Sequence, residues 1–401
     1  MKKLWRNLFH IDHLLITLLT LLLMQVLALA TLNISFLNPL ARTLSNFSMT
    51  DVFYDILNTG REPDTSDIIT MVDMTDLHDR ADIAAALLEV QSLEPAVIGV
   101  DIVFEGRKDS MGDQLMSECA TQVASQTVFA FKLADWVDSQ NQFSRTIHSF
   151  FADSVSTLME GFTNVRRDIN GGTVRSMGVS RQAQGVTCYS LPSQVASLFT
   201  GDSLAIRRLS DRSINYTSTR FPVVRYDSLW EREDLIRGHV VLFGATHDSG
   251  DMHYTPVGHI PGLEVLCYAT QTMIDHREVR EAKGWKVLLI TLFLIWLAQL
   301  YRYVVSKSVS RRKSSFMKYV SDTGILTTYA TFFLICVLMG INFWLFVSAD
   351  WYVNILWSLM GIALLGNANT LYGLLVNGLY TRYHWSILRH SLFFTLIKPE
   401  A

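Results

Sequence analysis

The chain has 401 residues, with 34 lysines and arginines against 37 aspartates and glutamates, and a net charge of −3. A charge this close to zero provides no large positive field, which argues against a protein that recruits nucleic acid by electrostatics. Charged residues make up 18% of the chain and hydrophobic residues 49%, whereas about a quarter of the residues are charged in a usual soluble domain. These values indicate a membrane protein with a substantial soluble part.

Four apolar runs are long enough to cross the roughly 30 Å hydrocarbon layer of a bilayer, which needs about 20 residues. We predict transmembrane helices at residues 14–34, 285–305, 325–347 and 354–378. The runs contain no acidic residue, and Lys286 and Arg302 lie at the edges of the second run, where they can reach the interface. Without an intramembrane acid or base, a transporter is not favoured. The polar residues within the runs are expected to join helices: Gln25, Gln299, Asn367 and Asn369.

Lysines and arginines are concentrated before the first run, between the second and third, and after the fourth. Because short cytoplasmic segments are enriched in these residues, we predict that residues 1–13, 306–324 and 379–401 are cytoplasmic. Residues 35–284 then lie outside, and the lipid bilayer surrounds the four helices. The alternative for the first run is a cleavable signal peptide ending at Ala28-Leu29-Ala30, but its length favours an uncleaved anchor.

Residues 35–284 alternate between strand-like and helix-like patterns. The segments predicted as buried strands are rich in β-branched and apolar residues: 68–74, 96–104, 127–133 and 238–244. The segments predicted as helices carry apolar residues at helical spacing: 78–95, 113–126, 191–199 and 260–275. This alternation predicts an extracytoplasmic α/β domain with a mostly parallel sheet. Asp168 with Gly171-Gly172 predicts a tight turn between two further strands.

Four segments, taken in order, resemble the CHASE2 family, an extracellular sensory domain of bacterial membrane signalling proteins: DVFYDILNTGREPDTSDIITMVDMTD, PAVIGVDIVFEG, GFTNVRRDINGGTVRS and GHVVLFGATHDSGDMHYTPVGHIPGLEVLCYATQTMI. They resemble a strand that ends in aspartate, the pattern G-x-D-x-x-F, a D-x-D-G turn, and the series G-A-T, D, T-P and P-G-x-E. One helix before the domain and three after it are also typical of the family. The resemblance implies a protein of the bacterial cytoplasmic membrane that takes part in signal transduction.

The chain departs from the family pattern in several places. Arg80 alone remains where many members carry a Trp-Pro-containing segment, Asn170 replaces an aspartate, and Cys267-Tyr268 stands where an alanine–histidine pair is common. Family members usually continue into a kinase or cyclase domain, whereas only residues 379–401 follow the fourth run here, too few to fold an enzyme. The expected output therefore belongs to another membrane or cytoplasmic protein, and both homo-oligomers and hetero-oligomers stay open.

Polar residues follow the predicted strands at their carboxyl ends, where ligands bind in open α/β sheets. We therefore predict a site for a small ligand or a cation at one rim of the sheet: Asp73, Asp101, Thr246, His247, Asp248, Asp251 and His253. Carboxylate oxygens suit a cation, but the pattern specifies no particular metal. The alternative is structural, in which Asp101 and Asp251 accept backbone N–H bonds and cap their loops.

His247, His253 and His259 recur at a spacing of six on what we predict to be a loop. This spacing is not a recognised zinc pattern, and isolated loop histidines are usually surface residues, so zinc is disfavoured. His247 and His253 are alternatively suited to titrate in mildly acidic surroundings and to act as a pH switch.

Five further residues are predicted to serve the fold. Pro256 fixes its own φ and biases Thr255 toward an extended conformation. Gly262 is expected to let the chain turn into the last helix of the domain, and Glu264 to lie near the positive end of that helix. Arg175 is expected to pair with an acid inside the domain.

No catalytic signature accompanies these residues. The sequence has no phosphate-binding loop and no G-x-S-x-G elbow, so we predict neither an enzyme nor a cofactor. Cys119, Cys188 and Cys267 allow one disulfide, although buried free thiols are favoured. The predicted function is a sensor or receptor-like subunit that signals to a separate partner. The alternatives are a structural or docking subunit of a larger cell-envelope complex and, less favoured, a hydrolase that uses the aspartate rim.

Overall fold

The computed structural model describes residues 7–33, 48–60, 62–164, 166–167, 172–207, 212–217, 219–282, 284–310 and 325–394. The predicted turn at Asp168 and Gly171, the departure at Asn170 and most of the basic segment 306–324 lie outside these ranges. The chain divides into two compact units, one of residues 46–280 and one of residues 1–45 together with 281–401.

The unit of residues 46–280 is built around a sheet whose central strands are parallel. In chain order the strands are β1 Ile69–Asp73, β2 Val97–Val100, β3 Thr127–Val137, β4 Gln142–Ile147, β5 Met159–Phe162, β6 Ser180–Ala183, β7 Val186–Tyr189, β8 Val223–Arg225 and β9 Val240–Gly244. They lie in the order β7-β6-β4-β3-β2-β9-β1-β8, and β5 pairs with β3. The pairs β3–β4 and β6–β7 are antiparallel, and the other pairs of this sheet are parallel. The prediction of an α/β fold with a mostly parallel sheet is confirmed.

Helices of the unit of residues 46–280 cover both faces of its sheet. The helices of both units, numbered together in chain order, are α1 Ile11–Asn33, α2 Met49–Asn58, α3 Arg80–Ser92, α4 Ser110–Val123, α5 Leu191–Thr200, α6 Ser203–Arg207, α7 Gly262–Ile274, α8 Trp285–Ser310, α9 Ile325–Ala349 and α10 Leu356–Tyr383. Side chains alternate between the two faces of a strand. Ile98 and Val100 join the core that α3 and α4 contribute to, whereas Gly99 lies against Leu191 and Val195 of α5.

The central strands are continuous apolar runs because both of their faces are covered. All residues of β2 and β9 are buried, as are the residues of β1 before Asp73. Asp79 and Asp109 cap the helices on one face, where they accept the N–H groups of Ala81 and Gly112. The predicted strand 96–104 is longer than the observed one, because β2 ends at Val100 and the chain then leaves the sheet.

Short elements complete the chain. Asp64–Thr65 pairs with Thr219–Arg220, and Val174–Met177 lies between Arg166–Arg167 and Arg212–Ser213. After β9, strands β10 (Met252–Thr255) and β11 (Gly258–Pro261) form an antiparallel hairpin. The remaining elements are the strands Arg280–Glu281 and Trp351–Tyr352 and the 3₁₀ turns Asp138–Gln140, Trp230–Leu235, Ser249–Asp251 and Ser386–His390.

The unit of residues 1–45 and 281–401 contains four helices that are long and apolar enough to cross a membrane: α1, α8, α9 and α10. Helices α8 and α10 each pack against the other three. Gln299 of α8 and Asn369 of α10 exchange two amide hydrogen bonds of 2.8 Å. The predicted role of polar residues in joining helices is confirmed for this pair, whereas Gln25 and Asn367 are exposed on the helices.

Two charged residues of these helices, Asp12 and Arg302, are held by hydrogen bonds to other segments of this unit. Helix α1 begins at Ile11 and so includes Asp12, which is buried. Its carboxylate accepts hydrogen bonds from the Tyr372 hydroxyl at 2.8 Å, the Ser391 hydroxyl at 2.9 Å and the Leu392 N–H at 2.5 Å, and these donors replace the water that an acid otherwise needs.

Arg302 of α8 bonds to acceptors on α9. Its Nη1 donates to the Thr331 hydroxyl at 2.7 Å and to the Thr327 carbonyl at 3.4 Å. The guanidinium therefore joins α8 to α9, because hydroxyl and carbonyl acceptors on the neighbouring helix satisfy it there.

Candidate functional site

The register of the sheet places Asp73 and Asp101 on opposite sides of Gly244. Gly244 pairs with Asp73 of β1, and Phe243 pairs with Val100 of β2, so that Asp101 comes next. The N–H of Asp101 donates to the carbonyl of Phe243 at 2.9 Å. Neighbouring strands lie about 4.8 Å apart, so one intervening strand separates the two backbones by roughly 10 Å. The two carboxylates therefore belong to separate local networks.

Asp73 lies in a hydrogen-bonded network at the end of β1. Its Oδ1 accepts from the Thr75 hydroxyl at 2.6 Å, the Thr75 N–H at 3.1 Å and the Thr246 N–H at 3.3 Å. Partial burial acts to raise the pKa of Asp73, but the hydrogen bonds from Thr75 and Thr246 outweigh it and hold the pKa below its usual value. Asp73 is thus an ionised carboxylate whose Oδ1 is engaged by three donors of the protein itself.

His247 belongs to the same network but is open to solvent. Its Nδ1 lies 2.7 Å from the Thr246 hydroxyl and 3.5 Å from Oδ2 of Asp73. The ring itself is 76% exposed, which leaves most of its surface free to meet a ligand.

An open cleft of about 820 Å³ lies beyond the carboxyl ends of β1, β2 and β9. The loops that follow these three strands form its walls, which is the usual place for a ligand in a parallel α/β sheet. Among the predicted site residues, Asp101, His247 and Asp248 line the cleft, whereas Asp73, Thr246, Asp251 and His253 are not part of its lining. The structure therefore does not bring the predicted rim together as a single site.

One wall of the cleft is held by Arg80, whose side chain is buried in an ion pair with Asp113 of α4. Nη2 of Arg80 donates to the carbonyls of Gly106 at 2.8 Å and Glu105 at 3.2 Å. Asp113 also accepts the N–H of Lys108 at 3.0 Å. These bonds tie the loop after β2 to α3 and α4. Sequence reasoning missed Asp113, because no local pattern marks a partner in another helix.

Asp101 lines the cleft, and the negative charge of a second carboxylate, Asp251, acts on it. Burial raises the pKa of Asp101 to about 8, and the negative charge of Asp251 contributes to the increase. Lys132 and a hydrogen bond from Thr163 act in the opposite direction. Asp101 therefore keeps its proton at neutral pH, in contrast to Asp73.

Asp251 lies directly against the first residue of α7. A Cβ atom on Gly262 would be 2.3 Å from Oδ2 of Asp251, so the glycine leaves the space that the carboxylate occupies. Gly262 thus permits a close approach, which is a different role from the predicted one of turning the chain. The loop cap anticipated for Asp251 is provided by Asp248, which accepts the N–H of Gly250 at 2.8 Å.

The prediction of a loop is confirmed for His247 but wrong for His253 and His259, because residues 252–261 form the β10–β11 hairpin. His259 stacks on Tyr254 with ring centroids 4.5 Å apart, and Nε2 of His253 lies 3.3 Å from Oδ1 of Asp251. The hairpin thus gives His253 and His259 different neighbours from those of His247. Within the part of the chain that the structure describes, no group of three or more histidines, cysteines and acids is suited to a metal ion.

The CHASE2 domain family model matches residues 18–301, which include the whole sheet, the cleft and α7. The chain belongs to the CHASE2 family. CHASE2 is a sensory domain family, and the four apolar helices make this member a membrane protein. The comparisons with curated proteins and with solved structures gave no significant match.

The T-P residues of this CHASE2 domain form the turn between β10 and β11, and the P-G-x-E residues lead from the hairpin into α7. The Thr255 hydroxyl donates to the carbonyl of Gly258 at 2.9 Å and accepts the N–H of Val257 at 3.3 Å, which closes the turn that contains Pro256. Glu264 lies in the first turn of α7, where burial raises its pKa.

Arg175 of this CHASE2 domain pairs with Asp51 in the first turn of α2. Its Nε and Nη2 donate to the two carboxylate oxygens at 2.9 Å and 2.6 Å, a bidentate geometry that fixes α2 to the strand Val174–Met177.

Cys119, Cys188, Cys267 and Cys336 are free thiols.

Proposed function

We propose that this CHASE2 protein is a sensor of the bacterial cytoplasmic membrane, with both termini inside and residues 35–284 outside. The four candidate spanning helices support this proposal. The basic residues concentrated in segments 1–13, 306–324 and 379–401 support the orientation. In this arrangement the cleft opens to the extracytoplasmic space, where it binds a small polar ligand.

The position of Asp101 carries the proposal. Asp101 lines the cleft and interacts with Asp251, whose carboxylate lies against Gly262 at the start of α7. In the sequence, residues 275–284 alone separate α7 from α8. A ligand that changes the environment of Asp101 therefore acts at the first turn of α7, the helix that precedes α8 in the sequence.

We propose further that the output belongs to a separate membrane or cytoplasmic protein, and that this chain has neither enzymatic activity nor a cofactor. The sequence supports this by its lack of a phosphate-binding loop and of a nucleophile elbow.

Cysteine labelling tests the orientation. In a variant without the native cysteines, Ser348→Cys is placed in the last turn of α9 and Thr381→Cys near the end of α10, both at exposed positions. We expect a membrane-impermeant maleimide to label Ser348→Cys in intact cells and Thr381→Cys only after the membrane is opened. The reverse pattern would contradict the proposed orientation.

Thermal unfolding of the full chain in nanodiscs tests the sensory role. The probes are amino acids, dicarboxylates and monosaccharides, which are small polar molecules that fit a cleft of this size. We expect at least one of them to raise the melting temperature, and His247→Ala, inside the cleft, to abolish the increase. His259→Ala is the matched control because His259 stacks on Tyr254 in the hairpin. If no probe acts and the protein leaves native membranes in a stoichiometric assembly, the docking subunit is the better function.

A further inference from the structure

Helix α10 carries a second face, on the side away from the other helices of its unit. Leu365 and Ala368 are buried in the apolar core of the helical unit. The exposed residues on the other side of α10 follow one another at intervals of four, three and four, which is the heptad spacing of a helix that packs along a second helix. We call these four residues the outer stripe: Ala363, Asn367, Thr370 and Leu374.

The amide of Asn367 lies deep in this helix. Asn367 is eleven residues from Leu356, at the start of α10, and sixteen from Tyr383, at its end, or about 16 Å and 24 Å along the axis. A hydrocarbon layer of roughly 30 Å therefore encloses Asn367 whichever end of α10 meets the interface. The part of the chain that the structure describes provides no hydrogen-bond partner for its side chain.

Neighbouring polar groups of α10 are satisfied within the chain. Asn369 exchanges two hydrogen bonds with Gln299, and the Thr370 hydroxyl donates to the carbonyl of Gly366 at 3.2 Å. Lipid tails offer an amide neither a donor nor an acceptor, so an unpaired amide is unfavourable there. Asn367 therefore requires a polar group from a helix outside this chain.

The other exposed surfaces of the helical unit show no comparable requirement. Gln25 is also exposed, but it lies near the end of the candidate span Ile11–Leu29, where a polar side chain can reach the interface. Helix α9 exposes apolar side chains such as Phe333 and Ile341, which suit a lipid environment. The outer stripe is thus the face of α10 that favours another helix over lipid.

We propose that two copies of this chain pair through the outer stripe, with Asn367 of one copy hydrogen-bonded to Asn367 of the other. Two copies insert in the same direction, so a two-fold axis along the membrane normal places both Asn367 side chains at the same depth. A carboxamide carries donors and an acceptor, and the two side chains therefore satisfy each other. Ala363 and Thr370 are small enough to let the helices approach closely. The pairing does not depend on a ligand in the cleft.

Disulfide cross-linking of the full chain in native membranes locates the contact. In the variant without the native cysteines, Leu374→Cys lies on the outer stripe, and Leu375→Cys is the matched control about 100° around the same helix. Both leucines are exposed. We expect an oxidant to link two copies several-fold more through Leu374→Cys than through Leu375→Cys. Equal links at both positions, no link between copies, or a link to a different membrane protein alone would overturn the proposal.

Energy transfer between donor-labelled and acceptor-labelled full chains in liposomes measures the strength of pairing. We expect Asn367→Leu to weaken it by about three- to tenfold, and Asn367→Gln, which keeps an amide, to retain most of it. Gln25→Leu removes an exposed amide away from the outer stripe and should leave pairing unchanged. An effect of Asn367→Leu no larger than that of Gln25→Leu would contradict the proposed contact. The ligand-induced melting shift is a separate measurement, so either proposal can fail while the other stands.

Discussion

Two acids near the cleft, the buried Asp113 and the half-buried Asp101, illustrate opposite electrostatic environments. Asp113 is paired with Arg80 and accepts a backbone N–H from Lys108. For Asp101, burial and the negative charge of Asp251 together raise the pKa to about 8. The first arrangement fixes a wall of the cleft. The second arrangement gives Asp101 a perturbed pKa, and perturbed pKa values are typical of functional sites.

The largest expected effect on the free energy of unfolding comes from breaking the ion pair between Arg80 and Asp113. Asp113→Ala leaves the buried guanidinium of Arg80 without its partner, which costs about 3–5 kcal/mol for ion pairs of this kind. We expect a loss of this size in the free energy of unfolding of residues 46–280, measured by denaturant titration of the full chain. Glu118→Ala is the control on the exposed side of α4, with an expected effect within about 0.5 kcal/mol. A loss below about 1 kcal/mol for Asp113→Ala would mean that the pair is not an anchor.

The next effect concerns the contact between Asp251 and α7. Gly262→Ala places a methyl group 2.3 Å from Oδ2 of Asp251, so one of the two must move, at a cost of about 1–3 kcal/mol. We expect Asp251→Ala to relieve most of this cost when the two changes are combined. Denaturant unfolding of both single variants and the double variant gives the coupling energy. Additive losses would place the strain elsewhere in the hairpin.

The third effect is a pH dependence. The pKa of Asp101 is higher in the folded protein, at about 8, than the usual value of 3.8, so the folded state binds more protons between these pH values. Stability contributed by this group is therefore present at low pH and is lost as the pH rises toward 8. The slope reaches about 1.4 kcal/mol per pH unit for one proton. Asp101→Asn should flatten the wild-type stability curve over pH 5–8, and an unchanged slope would argue that Asp101 titrates normally.

The smallest effect tests whether satisfied polar pairs follow the same logic in the membrane helices. Gln299→Leu or Asn369→Leu alone leaves one amide unpaired, for which we expect a loss of about 0.5–1.5 kcal/mol. The double variant removes both amides and should lose less than the sum of the single variants. Unfolding in mixed detergent micelles measures the three values. Equal and additive losses would show that the 2.8 Å contacts contribute no coupling between α8 and α10.

The local elements of this protein follow from short stretches of sequence. Length and uniform apolarity define the four membrane-type helices, and alternating apolar segments define the parallel sheet, because both signals lie within about 20 consecutive residues. The same signals place Asp73 and Asp101 at strand ends. They do not reveal that β9 lies between the two strands, because strand order depends on how helices pack across the whole domain.

The networks around the acids required the tertiary structure. Arg80 meets Asp113 across two helices, Asp251 occupies the space above Gly262, and Asp12 accepts donors from the far end of the chain. No local pattern specifies these partners, since each pair is distant in sequence or depends on the exact path of a loop. The sequence alone determined which acids are present and the family to which the chain is similar. The packing decided which acid is neutralised by a partner and which one retains a proton, because desolvation and neighbouring charge are properties of the folded chain.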